Sequence, residues 1–314
     1  MSAGLLARRL LAVGAGVPAV AAVAWAVPQE RPLQALRMAS EIPVRLGRDV
    51  LTAAAIVADY KRSLPSSASE EYEEQLHKCH QRGANRLMNL CFKNGGIYIK
   101  LGQHIGQLDH LLPKEYVETM RRNLLDRCPV SSWEEVRATM REDLGAYPEE
   151  LYAGFDPIPI ASASLAQVHV AHDHDGRKLA VKVQHSGLRM MAAVDTMTIE
   201  GLVGAVKWLF PDFNYQWLVD EVKENLPKEL DFEHEAGNAE RCRTNMASPR
   251  SMVGKQVIIP EVDLGRTSKR VLTMEFMEGA SVTDTTALLD MGGVCVPRGR
   301  HRVANVLCPY AALL

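Results

Sequence analysis

The chain has 314 residues, is 47% apolar and 24% charged, and carries a formal charge of −2, an ordinary globular composition with enough length to bury a core. The near-neutral balance offers no basic excess for nucleic acid and no acidic excess for a disordered solvating tail. Six scattered cysteines without a CxxC pair argue against a disulfide framework or a zinc site and for free thiols in a reducing compartment.

The N-terminus departs from this average. Residues 1–27 contain no acid, and Arg8 and Arg9 precede an apolar run, Leu10–Val27, which as a helix would measure about 27 Å, close to a bilayer core. Three readings stand: an organelle membrane anchor that tolerates Gly14, Gly16 and Pro18, an acid-free transit segment, or a secretory signal with Ala24-Trp25-Ala26 at its cleavage site. The thiols disfavour secretion, and residues 1–44 are taken as a targeting segment and membrane anchor.

Helical spacing then covers Arg45–Tyr60. A polar break follows, where Ser67 or Ser69 would cap a charged helix from Glu70 towards Leu90, interrupted at Asn94-Gly95-Gly96. Another helix is expected through IYIKLGQHIGQLDHLL, ending before Pro113. Lys114–Leu125 and Ser132–Leu144 read as two more, the second capped by Ser131 or Ser132 with Glu135 and closed by Gly145. Residues 45–150 form a helical block.

Near Phe155 the period changes to two. Ile158–Ser164 and Gln167–His172 are strand-like, Asp175-Gly176 marks a tight turn, and Lys178–Gln184 alternates. Helical pattern returns over Met191–Phe210 and Gln216–Asn245. Val257–Pro260 and Arg270–Phe276 are expected as further strands, which makes the class α+β. Beyond Asp290 neither period holds, and residues 283–314 read as a divergent, poorly ordered tail.

Alternation over KLAVKVQ sends Leu179, Val181 and Val183 to one face of the strand, and Ala180, Lys182 and Gln184 to the other. A strand lysine two residues after a small alanine suits phosphate binding beneath a sheet, although a solvated lysine has the same pattern. The preceding turn, Ala161, Ser162, Ala163, Ser164, Leu165 and Ala166, is built of small residues that let backbone N–H groups approach phosphate. Lys228–Cys242 is acidic and helical. Asp231 and Glu235 lie one turn apart with Glu229 nearby, so that a carboxylate could hold Lys182. Solvated charges are the plain alternative. His77, Cys79 and His80 share a helix, but no second ligand pair accompanies them. Trp208, Phe210, Phe213 and Trp217 around Pro211 read as packing for a helix-to-helix turn, and His172–Asp175 as turn chemistry.

In order and spacing, YIKLGQ, ASASLAQVH, AVKVQH and ELDFEHEAGNAER resemble the UbiB family, also called ABC1 or aarF-domain kinases. The likeness runs from about Arg45 to Val282 and is nearest to the mitochondrial aarF-domain kinases of eukaryotes. It implies a protein-kinase-like small lobe over 151–282 beneath a helical extension over 45–150, with the large lobe largely absent. Lys100, Gly102 and Gln103 match a KxGQ element, and Glu229 and Asp231 an ExD element. Residues 161–166 match an alanine-rich loop that replaces the glycine-rich loop of kinases. Lys182 and Glu235 match the phosphate-positioning ion pair. Glu275 and Phe276 fall where a hinge would contact adenine, and Gly279 frees the crossover.

ATP or ADP is the implied cofactor, with Mg²⁺ only in a full-length form. Membrane lipid or an isoprenoid-like small molecule is the implied partner besides nucleotide. The implied place is an organelle membrane, mitochondrion rather than plastid, in quinone or lipid metabolism. Phosphoryl transfer needs metal-holding carboxylates. The family's HxDPHxGN-like loop is not found, since His301-Arg302-Val303-Ala304-Asn305 is the nearest string and no Asp follows Asp290. The chain is therefore expected to be truncated, with a nucleotide site but no phosphate transfer. The alternatives are a membrane-tethered pseudokinase-like binding module and an inert truncation product.

Overall fold

The computed structural model describes residues 32–66, 69–124, 128, 130–247 and 257–279, with side chains from Ser40 onward except at Met190. The run Leu10–Val27, Ser67 and the tail from 283 lie outside them. Among the described residues two compact units interleave along the chain: those from 32 to 128 with 187–226, and 130–186 with those from 227 to 279.

The first unit is helical: α1 (Pro32–Ser63), α2 (Tyr72–Asn94), α3 (Ile97–Ile105), α4 (Lys114–Leu124), α7 (Leu188–Leu209) and most of α8 (Gln216–Glu229). Helix α2 carries Glu73 and Glu74 in its first turn and Lys93 in its last, matching the helix dipole. It stops at Gly95 and Gly96, whose φ of +65° and +52° only glycine adopts freely. Ser69 does not cap α2 from the N-cap position, which Glu71 occupies without a side-chain bond. The helix expected through Leu112 ends instead at Ile105, because Gly106 closes it and Arg121 Nε donates to the Gly106 carbonyl at 2.9 Å. Gln107 therefore lies beyond the helix that carries Lys100 and Gln103. Helices α1 and α7 run parallel, joined by Arg45 to Asp195 near their middles and by Lys61 to the Leu209 carbonyl at their ends. Among the described residues no helix is long and apolar enough to cross a membrane.

The second unit holds an antiparallel sheet in the order β1 (Gly154–Phe155), β3 (Ala166–His172), β4 (Lys178–Gln184), β5 (Val271–Glu275), with β2 (Ala161–Ser162) also on β3. Helices α5 (Trp133–Leu144), α6 (Pro148–Leu151) and α9 (Phe232–Ala247) belong to this unit. Ser132 caps α5 in a full capping box with Glu135, and Gly145 closes it with φ of 76°. This helix ends the predicted helical block, yet it packs on the sheet. The β3–β4 turn is held by Asp173, whose Oδ1 accepts from the Asp175 and Arg177 N–H groups at 3.0 and 2.8 Å.

One sheet face buries Leu179, Val181, Val183, Ala171 and Val271 against Val136, Met140 and Tyr152. The other buries Ala166 and Leu272 against Phe232 and Ala236 of α9. The stretch Val257–Pro260 forms no strand; only a lone bridge, Val262 to Met274, extends the sheet there. Helical pattern over Gln216–Asn245 is broken at Leu230-Asp231, where Asp231 starts a new helix.

Candidate nucleotide site

Alternation places Lys182 as predicted, on the face opposite Val181 and Val183. Its Nζ lies 2.9 Å from each carboxylate oxygen of Glu235 and 4.7 Å from the centre of the Phe232 ring. The Lys182 side chain is 10% exposed and that of Glu235 29%. A nearly dehydrated ammonium needs such a partner, because burying a lone charge costs several kcal/mol.

Glu235 reaches Lys182 because α9 is fixed at its first turn. The Asp231 carboxylate accepts from the Glu233 and His234 N–H groups at 3.1 and 3.3 Å. The Phe232 N–H donates to the Lys269 carbonyl at 3.1 Å, and the ring is buried under the sheet. Gln184, next inward-facing residue after Lys182, donates to the Leu230 carbonyl at 3.2 Å. Asp231 is thus the N-cap of the helix that bears Glu235, a role that residue spacing alone did not suggest. Glu229 ends α8, half-buried.

The small-residue turn closes β2 onto β3, with the Ala163 N–H donating to the Ala166 carbonyl at 2.8 Å. It adjoins the lysine through the sheet, since Val168 pairs with Ala161 on one side and Lys182 on the other. His185 fixes it from β4's end: its N–H donates to the Leu165 carbonyl and its Nε2–H to the Ala163 carbonyl, both at 3.0 Å. The Ser131 hydroxyl donates to His185 Nδ1 at 2.8 Å. Burial pushes this imidazole below its ordinary pKa and keeps it neutral, as the two bonds require. Removing it by His185→Ala strands the Ala163 carbonyl. A loss of about 1–2 kcal/mol is expected, with amide hydrogen exchange across 161–166 accelerating; unchanged exchange there would refute the role.

Two motif residues serve the scaffold. Gln167 accepts from the Ser131 N–H at 2.7 Å, and its amide donates to the Ser131 carbonyl at 3.2 Å and to His169 Nε2 at 3.0 Å. His169 Nδ1–H donates to the Asp156 carbonyl at 2.8 Å, and burial keeps the ring neutral. The signal that would have revealed this is their alternation with Val168 and Val170, which turns both polar groups to the face of Val181 and Val183, with His169 against Trp133 and Phe155.

At the predicted hinge, Glu275 pairs with Leu179 and Met274 with Ala180. Met274, which sequence reasoning missed, therefore shares the lysine face with Ala180, Val168 and Leu272, and Glu275 does not. The Glu275 N–H donates to the Glu261 carbonyl at 2.8 Å and the Phe276 N–H to the Lys178 carbonyl at 3.2 Å, so neither amide hydrogen is open to a base. Lys178 Nζ also lies 3.8 Å from the Phe276 ring centre.

The KxGQ residues lie in the helical unit. Gly102 is buried where a Cβ would stand 2.2 Å from Leu124 Cδ1 and 3.3 Å from Cys91 Sγ, and Gln103 Nε2 donates to the Leu124 carbonyl at 3.0 Å. Gly102 is thus needed for the α3–α4 approach. Lys100 is half-buried on α3. His77 and His80 spend their bonds on Glu115 and Tyr60, at 2.7 and 2.5 Å, and Cys79 is buried.

A cationic nitrogen clamped by a carboxylate, beside a turn of small residues and a row of small apolar side chains, fits a nucleotide's phosphates and base. Comparison with known proteins agrees in kind. Residues 123–294 match the family described as ABC1 atypical kinase-like domain. A putative ABC1 protein of Arabidopsis thaliana is 46% identical over 286 residues, 90% of this chain and 53% of that protein. The AarF domain-containing protein kinase 1 of Mus musculus is 48% identical over 243 residues, 77% of this chain and 45% of that one. The chain thus spans about half the length of these relatives. A solved structure of Rv3197 with erythromycin, from Mycobacterium tuberculosis, is 29% identical, with a TM-score of 0.41, covering 66% of this chain and 51% of that one.

Proposed function

The chain belongs to the ABC1 atypical kinase-like family, and on that footing we propose that its sheet unit binds ATP or ADP, with Lys182 as the phosphate-positioning cation. The observation that carries this reading is the Lys182–Glu235 pair beside the 161–166 turn. Glu235 holds the ammonium off solvent and points it along the sheet. The turn supplies backbone donors, and Ala180, Val168 and Met274 give the base an apolar roof.

Mg²⁺, where bound, would neutralise the phosphates and align the transferred group. The 314 residues hold no Asp after Asp290, and we propose that, as they stand, they bind nucleotide without turning it over. We carry the family's association with organelle membranes, and with quinone or lipid metabolism, as the setting of that site. The acid-free apolar run at the N-terminus is consistent with it.

The test is titration of ATP with and without Mg²⁺, beside Lys182→Ala. Binding that Mg²⁺ changes little and Lys182→Ala abolishes is expected, with no turnover. Binding indifferent to Lys182→Ala, or Mg²⁺-dependent hydrolysis that this variant abolishes, would overturn the proposal.

A further inference from the structure

The aromatic cluster around Pro211 was expected to pack a turn, and half of it does. Phe210 lies edge-on to Tyr60 at 6.5 Å and under Lys61 Nζ at 4.4 Å, and Phe213 lies 4.7 Å from Tyr215. The two tryptophans do not pack: Trp208 is 61% exposed and Trp217 40%. Leu111, from the connection before α4, is 56% exposed and is held to the same end of the helical unit, because the Tyr215 hydroxyl donates to its carbonyl.

Around these three lie exposed basic side chains: Lys61 and Arg62 closing α1, Lys207 before Trp208, and Lys114 three residues after Leu111. Asp212 is an exposed acid among them. Asp109 is held by Arg121, and Asp220 by the Gln216 amide.

Indole is an apolar body with one polar N–H, and its favoured environment is the headgroup boundary of a bilayer. Amphipathic surfaces that join such rings to lysine and arginine bind anionic lipid by burial and charge together. We propose that this end of the helical unit, with Trp208, Trp217 and Leu111 amid Lys61, Arg62, Lys114 and Lys207, docks on an anionic bilayer surface. The cluster belongs to the helical unit alone, so the proposal stands independently of the nucleotide reading.

The experiment uses the full chain and reads the tryptophans themselves, so that any tethering by the N-terminal run does not mask the result. Vesicles of phosphatidylcholine, with or without phosphatidylglycerol, carry brominated acyl chains that quench indole in contact. Quenching is expected on phosphatidylglycerol vesicles, and Trp208→Phe/Trp217→Phe should cut it to what Trp25 and Trp133 leave. Arg62→Glu/Lys207→Glu keeps every tryptophan and spares the Lys61 contacts. It should weaken quenching at Trp208 and Trp217 by about five-fold per residue on phosphatidylglycerol only.

Melting curves confirm that both variants fold. An unchanged quenched fraction in the Phe variant overturns the proposal, as does equal quenching on neutral lipid. Concentration-dependent dimerisation lost with the tryptophans, without vesicle quenching, would reassign the surface to a second copy of the chain.

Discussion

Glu235→Ala is expected to destabilise the sheet unit more than Lys182→Met, although both abolish nucleotide binding. The asymmetry follows from where each charge can go. Removing the carboxylate leaves an ammonium on a side chain only 10% exposed, with the Phe232 ring as its remaining neighbour. Removing the lysine leaves a carboxylate that is 29% exposed and can turn to water. Breaking a fully buried pair costs about 3–5 kcal/mol; discounted for solvent, about 1–3 kcal/mol is expected for Glu235→Ala and less for Lys182→Met. Replacing both charges, as Lys182→Met/Glu235→Leu, should return stability towards the parent while binding stays lost. Chemical denaturation and ATP titration on the four chains check this. Equal costs for the two single variants would mean that the lysine is not held by Glu235.

How much of this was legible depends on which force fixed each element. Strand β4 could be read because its period of two matches its burial, Val181 inward on one side and Lys182 on the other. The cap of α5 could be read because Ser132 and Glu135 satisfy each other's backbone locally. The pairing of 182 with 235 was suggested by charge and family motif, but spacing could not orient α9. Its direction comes from Asp231 as N-cap, Phe232 beneath the sheet and Gln184 on Leu230, contacts made by residues distant in the chain. The failures are also long-range. Val257–Pro260 has strand composition but no partner strand, so it stays unpaired apart from the neighbouring Val262 bridge. The exposed tryptophans looked like core because sequence cannot tell which side of a turn meets the other helices. Which residue of β5 shares the lysine face, Met274 rather than Glu275, is likewise set by register with β4.

Arg45→Met is expected to be among the most damaging single changes in the helical unit, and its cost should shrink in acid. Arg45 holds Asp195 through two nitrogens, one at 3.0 Å, and also donates to the Asn94 carbonyl. Beside them Asp49, 1% exposed, accepts from the Tyr98 hydroxyl and the Asn94 amide, each at 2.7 Å. Four elements meet there: α1, α7, the end of α2 and the start of α3. Burial drives Asp49 up to about 6, with Asp195's charge adding and Tyr98 and Arg45 opposing, and burial raises Asp195 too.

A carboxyl whose pKa rises on folding favours the fold below its unfolded value of about 4, and that contribution is lost as pH climbs through about 6. The parent chain should therefore lose up to about 3 kcal/mol from Asp49 across that window. Asp49→Asn should flatten the slope. In Arg45→Met both carboxylates lose the cation they share, and about 3–5 kcal/mol is expected at neutral pH. Near pH 4 protonation relieves them and the deficit should largely close. A deficit constant from pH 4 to 7 would mean that Arg45 acts by packing, because lost volume does not titrate whereas an unpaired carboxylate must.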